Sequence, residues 1–177
     1  IRMLPALAGY PQESRFLLVM QNNDELRPSG GFIGVYGLLN VKGGEIRHLE
    51  TDDSYHVDMP ASQSEKWQVA APEILQKQLK VEKWYLRDSN WSPDWPQSAR
   101  QIEYIYNGVT GATGQPAEPF TGIIGITPDF GADLIGLVGP ITIQGSTYDE
   151  NNFQSLLQYN VEIAYRDQDI SQWDRKE

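Results

Sequence analysis

The chain of 177 residues contains no cysteine. That excludes disulfides, thiolate zinc sites and cysteine nucleophiles, and it leaves the redox compartment open. Basic residues are scarce: 14 Lys and Arg stand against 24 Asp and Glu, a formal net charge of −10. No basic stripe exists that would release counterions from a nucleic-acid backbone, which argues against nucleic acid as a partner. A few local arginines, or a bound divalent cation, would still suffice for an anionic ligand. No apolar run approaches the roughly 18 residues of a membrane span, and there is no signal peptide. The catalytic signatures are missing as well: no G-x-S-x-G elbow, P-loop, G-x-G-x-x-G or H-E-x-x-H occurs. Beginning at Ile1 and closing on Asp174-Arg175-Lys176-Glu177, the chain reads as one domain excised from a longer protein.

What is present is the material of a packed globule. Hydrophobic residues make up 40% of the chain and there are five tryptophans, enough for a substantial core in one domain. Arg15–Met20 reads as a buried strand. Gly31–Val41 and Glu45–Thr51 read as two strands joined by Lys42-Gly43-Gly44, a hairpin signal. Asp52 to Gln68 reads as a long polar excursion, Pro72–Leu79 as a short helix and Trp84–Leu86 as a short strand. Ala99, Ile102 and Ile105/Tyr106 fall at helical spacing in Pro96–Tyr106, and the Gly/Thr/Pro-rich stretch 108–119 reads as a loop. Phe120–Ile126 is apolar enough for a central strand. Thr127-Pro128-Asp129 supplies an N-cap, a proline at N1 and an acid in the first turn of a helix. Phe130, Leu134 and Leu137/Val138 give that helix one apolar face, and Gly139-Pro140 ends it. Ile141–Gln144 reads as a short strand. Thr147-Tyr148-Asp149-Glu150 fits a capping box opening a last helix, with Phe153, Leu156/Leu157, Val161 and Ala164 facing inward. The alternation predicts a single α/β domain over 1–177, with a mixed central sheet covered by helices on both faces.

Four polar clusters fall where strands or helices should end, the usual place for sites in open α/β sheets. The first is Gln21-Asn22-Asn23-Asp24-Glu25-Leu26-Arg27, a polar exit from the first strand that turns on Pro28 and Gly30-Gly31. The second, Asp52, Asp53, His56 and Asp58, offers hard oxygen ligands for Mg²⁺ or Ca²⁺, or else is a solvated acidic loop. The third is Arg87, Asp88, Asn90 and Asp94 with Trp91 and Trp95 interleaved; the two indoles either stack on sugar rings or seal the loop onto the core. Asn90-Trp91-Ser92 also matches the three-residue glycosylation sequon. The fourth is Tyr165-Arg166-Asp167-Gln168-Asp169 with Asp174-Arg175-Lys176. Its arginines either fork onto phosphate oxygens or simply complement a helix C-terminus. Arginine mixed with acid in three of the four clusters, beside the acids of the second, suits a metal-bridged pyrophosphate better than a nucleophilic triad.

Three segments carry a resemblance to a known family: Gln21 to Phe32, then Arg87-Asp88-Ser89-Asn90-Trp91-Ser92-Pro93-Asp94-Trp95-Pro96, and Gly139-Pro140. Together they resemble the bacterial family called domain of unknown function 4012, through nearly the whole chain. That family typically occurs in envelope-associated proteins behind an N-terminal membrane helix. More distantly, the layout is similar to the LytR-CpsA-Psr ligases. These phosphotransferases move glycopolymers from a polyprenyl-pyrophosphate carrier, with arginines on the pyrophosphate and a Mg²⁺ held by acids.

The resemblance implies an extracytoplasmic, membrane-anchored domain that handles a polyprenyl-pyrophosphate-linked glycan or another envelope polymer. It implies catalytic roles for Asp24, Arg27, Arg87 and Arg166, and ligand contacts from Asn23, Asp88, Asn90, Trp91 and Arg175. A Mg²⁺ would be held by Asp24, Asp52 and Asp53. Gly31 and Gln168 stand where the ligases carry a further metal acid and a second arginine, and Asp52-Asp53-Ser54 replaces their Pro-Arg-Asp turn. A non-catalytic module for envelope assembly is the alternative. Internal Arg–Asp pairs filling the cleft would favour it.

Overall fold

A computed structural model describes residues 3–117 and 119–162, the last three of them by backbone only. In chain order the elements are α1 (Leu4–Leu7), β1 (Ser14–Arg27), β2 (Gly30–Lys42), β3 (Glu45–Asp53), α2 (Ser54–Ser62) and α3 (Glu73–Leu79). A 3-10 turn at Leu86–Asp88 is followed by α4 (Trp95–Ala112), β4 (Gly122–Ile126), α5 (Pro128–Val138), β5 (Ile141–Ile143), β6 (Ser146–Tyr148) and α6 (Phe153–Glu162). The α/β class and the mixed four-stranded sheet agree with expectation. The chain forms two compact units, Ile1–Gly125 and Ile126–Glu177.

In the first unit the sheet order is β3-β2-β1-β4. β1 and β2 are antiparallel with Leu17 opposite Leu38 and Val19 opposite Tyr36, and β3 continues antiparallel with Leu39 opposite Leu49. The turn between β2 and β3 uses Gly43 at φ 61° and Gly44 at φ 84°, left-handed values that glycine reaches without strain. β4 lies at the edge among the described strands, not in the centre. Its apolar residues are explained by half-burial, with Ile123 packed on the core.

That core joins Leu17 and Val19 of β1, Ile33 and Tyr36 of β2, Ala61 of α2, and Ile102, Ile105 and Val109 of α4, with Trp67 and Leu86 between them. Burying apolar side chains from both sheet and helices is the main term holding the layers together.

Three local expectations fail in this unit. The excursion after Asp52 contains α2, because Asp53 turns into an N-cap and its carboxylate accepts from Tyr55 N at 2.8 Å. Trp84–Leu86 is not a strand: the chain makes one bridge, Ala70 with Lys83, and then the 3-10 turn. Trp67 and Trp84 organise this segment through their indole N–H groups, which donate to Trp84 O at 2.8 Å and Asp88 O at 2.9 Å. Helix α4 runs six residues past Tyr106, through Gly108 and Gly111, where a loop was expected. A Cβ on Gly108 would sit 2.0 Å from Trp67 Cζ3, so the glycine makes room for a buried indole rather than ending the helix.

In the second unit, α5 opens on Thr127 as its N-cap, as expected. Its apolar face points elsewhere than foreseen. Ala132 and Ile135 are the buried positions, while Phe130, Leu134, Leu137 and Val138 are exposed. Thr147 does not open a helix either. It belongs to β6, pairs with Thr142, and its hydroxyl meets that of Thr142 at 3.0 Å. The cap of α6 comes from Asp149, whose carboxylate accepts from Asn151 N and Asn152 N. Phe153 packs edge-on against Tyr148 and Leu156 and Leu157 are half-buried. The Val161 side chain and Ala164 lie outside the described residues.

Gly108→Ala should lower stability by roughly 1–3 kcal/mol through overpacking, despite alanine's better helix propensity. A urea midpoint that falls supports this packing. A midpoint that rises would mean Trp67 moves aside freely.

Candidate functional site

The first cluster is part of the sheet and not a loop. β1 runs through Arg27, and only Pro28-Ser29 lies between Arg27 and its pairing partner Gly30. Asn22 pairs with Phe32 and Leu26 with Gly31, so Asn23, Asp24 and Glu25 bulge out opposite no partner residue. Asp24 and Glu25 are exposed on this bulge. A Cβ on Gly31 would fall 1.8 Å from Asn22 O, and one on Gly30 1.6 Å from Gln21 Oε1. Gly31 is thus required by the close approach of the β1 backbone, where an aspartate has no room, whereas Gly30 is favoured by its φ of 143°, which side chains rarely adopt.

The hairpin tip meets the third cluster directly. Asn90 is fully buried and its amide donates to Gly31 O at 2.8 Å, while Ser29 Oγ donates to Asn90 O at 3.2 Å. Burial in that role also withholds Asn90 from glycosylation in the folded state. Arg27 reaches the same segment: its Nε and Nη2 each lie 2.7 Å from Asp88 Oδ1, and its Nη1 donates to Leu26 O at 3.0 Å.

Arg87 approaches the other oxygen of Asp88, with Nε 3.7 Å from Oδ2, and its Nη1 donates to Asp58 Oδ2 at 3.1 Å. Asp58 in turn accepts from the backbone N–H groups of Leu86 at 2.9 Å and Arg87 at 3.3 Å. The cations also lie over aromatic rings, Arg27 over Phe32 at 5.5 Å and Arg87 over Tyr85 at 4.6 Å and Tyr55 at 5.1 Å. Side-chain exposure is 11% for Arg27, 16% for Arg87, 5% for Asp88 and zero for Asp58, so water screens the four charges little.

Burial pushes the Asp58 carboxyl up to about 6, against the opposing pull of Arg87 and the two N–H donors. The network thus brings Arg27, Arg87, Asp88 and Asn90 together, and adds Asp58, which sequence reading placed in an acidic loop. Its position on α2, four residues after Ser54, was the available signal once a helix was admitted there.

The second cluster divides. Asp53 caps α2, whereas Asp52 Oδ1 meets His56 Nδ1 at 2.6 Å and its Oδ2 accepts from Tyr36 OH at 3.4 Å. Among the described residues no group of three or more Asp, Glu or His comes together to hold a metal ion. Asn23 lies on the bulge, Trp91 is half-buried, and Trp95 packs on the core, its ring 2.5 Å from where a Cβ on Gly125 would lie. The indole at 95 therefore seals its segment onto the core. Arg166 and Arg175 lie outside the described residues.

The chain belongs to the family described as protein of unknown function (DUF4012), whose profile matches residues 11–161. Comparison with curated proteins and with solved structures finds no match.

Because the Asp58 carboxyl is raised in the folded state, the fold binds more protons than the unfolded chain between its ordinary value, near 3.8, and about 6. Its contribution to stability is therefore full below that range and is lost as pH rises through about 6. A carboxyl-carbon NMR titration should place the Asp58 midpoint near 6, and Asp58→Asn should remove this falling slope from the pH–stability curve. A midpoint at or below 3.8 would contradict it.

Proposed function

We propose that this domain is a non-catalytic interaction module of the bacterial cell envelope, extracytoplasmic and anchored by a membrane helix outside this chain. The observation that carries the reading is the pairing of Arg27 with Asp88 and of Arg87 with Asp58. Phosphoryl transfer needs positive charge held ready for a leaving pyrophosphate. Here the two arginines meant for that task already face two buried carboxylates, one for one.

A ligase role with a polyprenyl-pyrophosphate-linked glycan and Mg²⁺ would require Arg27 and Arg87 to abandon these partners. It would also leave Asp58 and Asp88 as uncompensated buried charges, a cost of several kcal/mol. The filled position at Gly31, with no space for a metal-binding acid, supports the same reading. The exposed Phe130, Leu134, Leu137 and Val138 on α5 suit a domain whose business is association. The envelope location in this proposal rests on the family resemblance read from the sequence.

Calorimetry with farnesyl pyrophosphate, with and without Mg²⁺, tests this on the wild type and Arg27→Ala. The expected result is no Mg²⁺-dependent binding in either protein, with Arg27→Ala instead losing roughly 3 kcal/mol of stability in a urea melt. Mg²⁺-dependent affinity that disappears in Arg27→Ala would overturn it in favour of the ligase reading.

A further inference from the structure

Helix α5 of the second unit leaves a row of large apolar side chains in water. Phe130 is 53% exposed, Leu134 48%, Leu137 85% and Val138 68%. A helix turns about 100° per residue, so Phe130, Leu134 and Leu137 fall within about 60° of one another. The buried positions, Ala132 and Ile135, lie on the opposite side of the helix. The unit's own packing is close on that inner side: a Cβ on Gly131 would stand 2.6 Å from Cε1 of Phe153 on α6. Helices apolar on both sides are ordinarily covered on both sides. Single exposed apolar residues need no explanation, but a row of them on one helix marks an interaction surface.

The charge around this row has one sign. None of the 14 Lys and Arg of the chain falls between Ile126 and Glu162, whereas Asp129, Asp133, Asp149, Glu150 and Glu162 do. Asp129 and Asp133 are exposed and four residues apart on α5, so they form a row along one flank of the apolar stripe. The amide of Gln154 donates to Asp129 Oδ1 and fixes that carboxylate in place. The last turn of α5 contains no basic residue, so the partial negative charge of the helix C-terminus, beside Leu137 and Val138, is not offset within the helix.

These charges select the occupant. A second copy of the chain would bring the same acidic row against Asp129 and Asp133 or leave it uncompensated. An anionic lipid surface would repel the acids. Residues 163–177 of this chain supply three basic side chains, Arg166, Arg175 and Lys176, against four acids, so they are not a basic segment. A helix with one apolar stripe and a basic flank complements both the stripe and the acids.

We propose that α5 is the docking face for a basic amphipathic helix of a partner protein. Its apolar side chains cover Phe130, Leu134 and Leu137, and its lysines or arginines meet Asp129, Asp133 and the C-terminal end of α5. The proposal rests on the interaction-module reading and names the partner by its chemistry.

Titration of the isotope-labelled 177-residue chain with a synthetic amphipathic leucine–lysine helix tests it by amide NMR. Shift changes concentrated on α5 are expected, with a Kd of roughly 10–100 μM at low salt. Leu134→Gln and Leu137→Gln, both at exposed positions, should each weaken binding about tenfold with the melting temperature close to wild type. Asp129→Asn with Asp133→Asn should weaken it about fivefold and remove most of its dependence on salt. Ile46→Ser, which removes a side chain 64% exposed on β3 of the first unit, should change nothing. Lack of binding, equal affinity for the same helix with glutamate in place of lysine, shift changes away from α5, or leucine variants that bind like wild type would each overturn the proposal. A synthetic 163–177 peptide binding α5 as tightly as the lysine helix would overturn it too, assigning the face to the chain's own tail. Failure here leaves the arginine–aspartate pairing untouched, whereas failure of the module reading shows itself as Mg²⁺-dependent pyrophosphate binding through Arg27.

Discussion

Asp88 sits between two guanidinium groups, 2.7 Å from Arg27 and 3.7 Å from Arg87, with its side chain 5% exposed. A lone carboxylate at that depth would cost several kcal/mol or take up a proton. Two arginines alone would be no better placed. Only the combination with Asp58 brings two positive and two negative charges into one poorly hydrated space with a hydrogen-bond donor for each carboxylate. The β1–β2 hairpin tip, α2 and the 3-10 turn each contribute a member, so none of these segments can shift without leaving a buried charge unpaired. The network does not need to add net stability to matter. Its effect is to make one arrangement of the three segments far better than its neighbours, since breaking a buried pair costs more than forming it gains.

The neighbouring contacts follow from that constraint. The hairpin must bring Arg27 inward, and the bulge at Asn23–Glu25 re-aims the strand so that it can. The tip then crosses close to the β1 backbone, so only glycine fits at position 31, and Gly30 takes a φ of 143° that side chains rarely adopt. Asn90 closes the arrangement by holding Gly31 O, and Trp84 holds Asp88 O. The two segments that carry the strongest family resemblance are therefore one construction seen twice in the sequence. The residue types at Arg27, Gly31, Asp88 and Asn90 are demanded by the contact between them, which explains why these polar groups lie largely out of water.

Much of this was legible in the sequence where one local rule decided the outcome. Lys42-Gly43-Gly44 needed two left-handed glycines and became a hairpin, and Thr127-Pro128-Asp129 became a helix start. What failed was decided by tertiary contact. Gln21 to Arg27 reads as a loop because a bulge breaks the period-two alternation, although the backbone continues in the ladder. Gly108 reads as a helix end because its reason, the Trp67 ring, lies some forty residues away in the chain. Asp58 was masked by a stretch with no helical periodicity, its α2 being weakly amphipathic and interrupted by Pro60.

The most direct test of the account is a double-mutant cycle between Arg27 and Asp88, using Arg27→Met, Asp88→Asn and the pair, with unfolding free energies from urea denaturation. Side chains that act on each other in a buried network give a coupling of roughly 1.5 kcal/mol or more, with each single variant less stable than expected from the double. That is the predicted result. Free energies that simply add, with a coupling below about 0.5 kcal/mol, would show that the two residues do not depend on each other and would contradict the account.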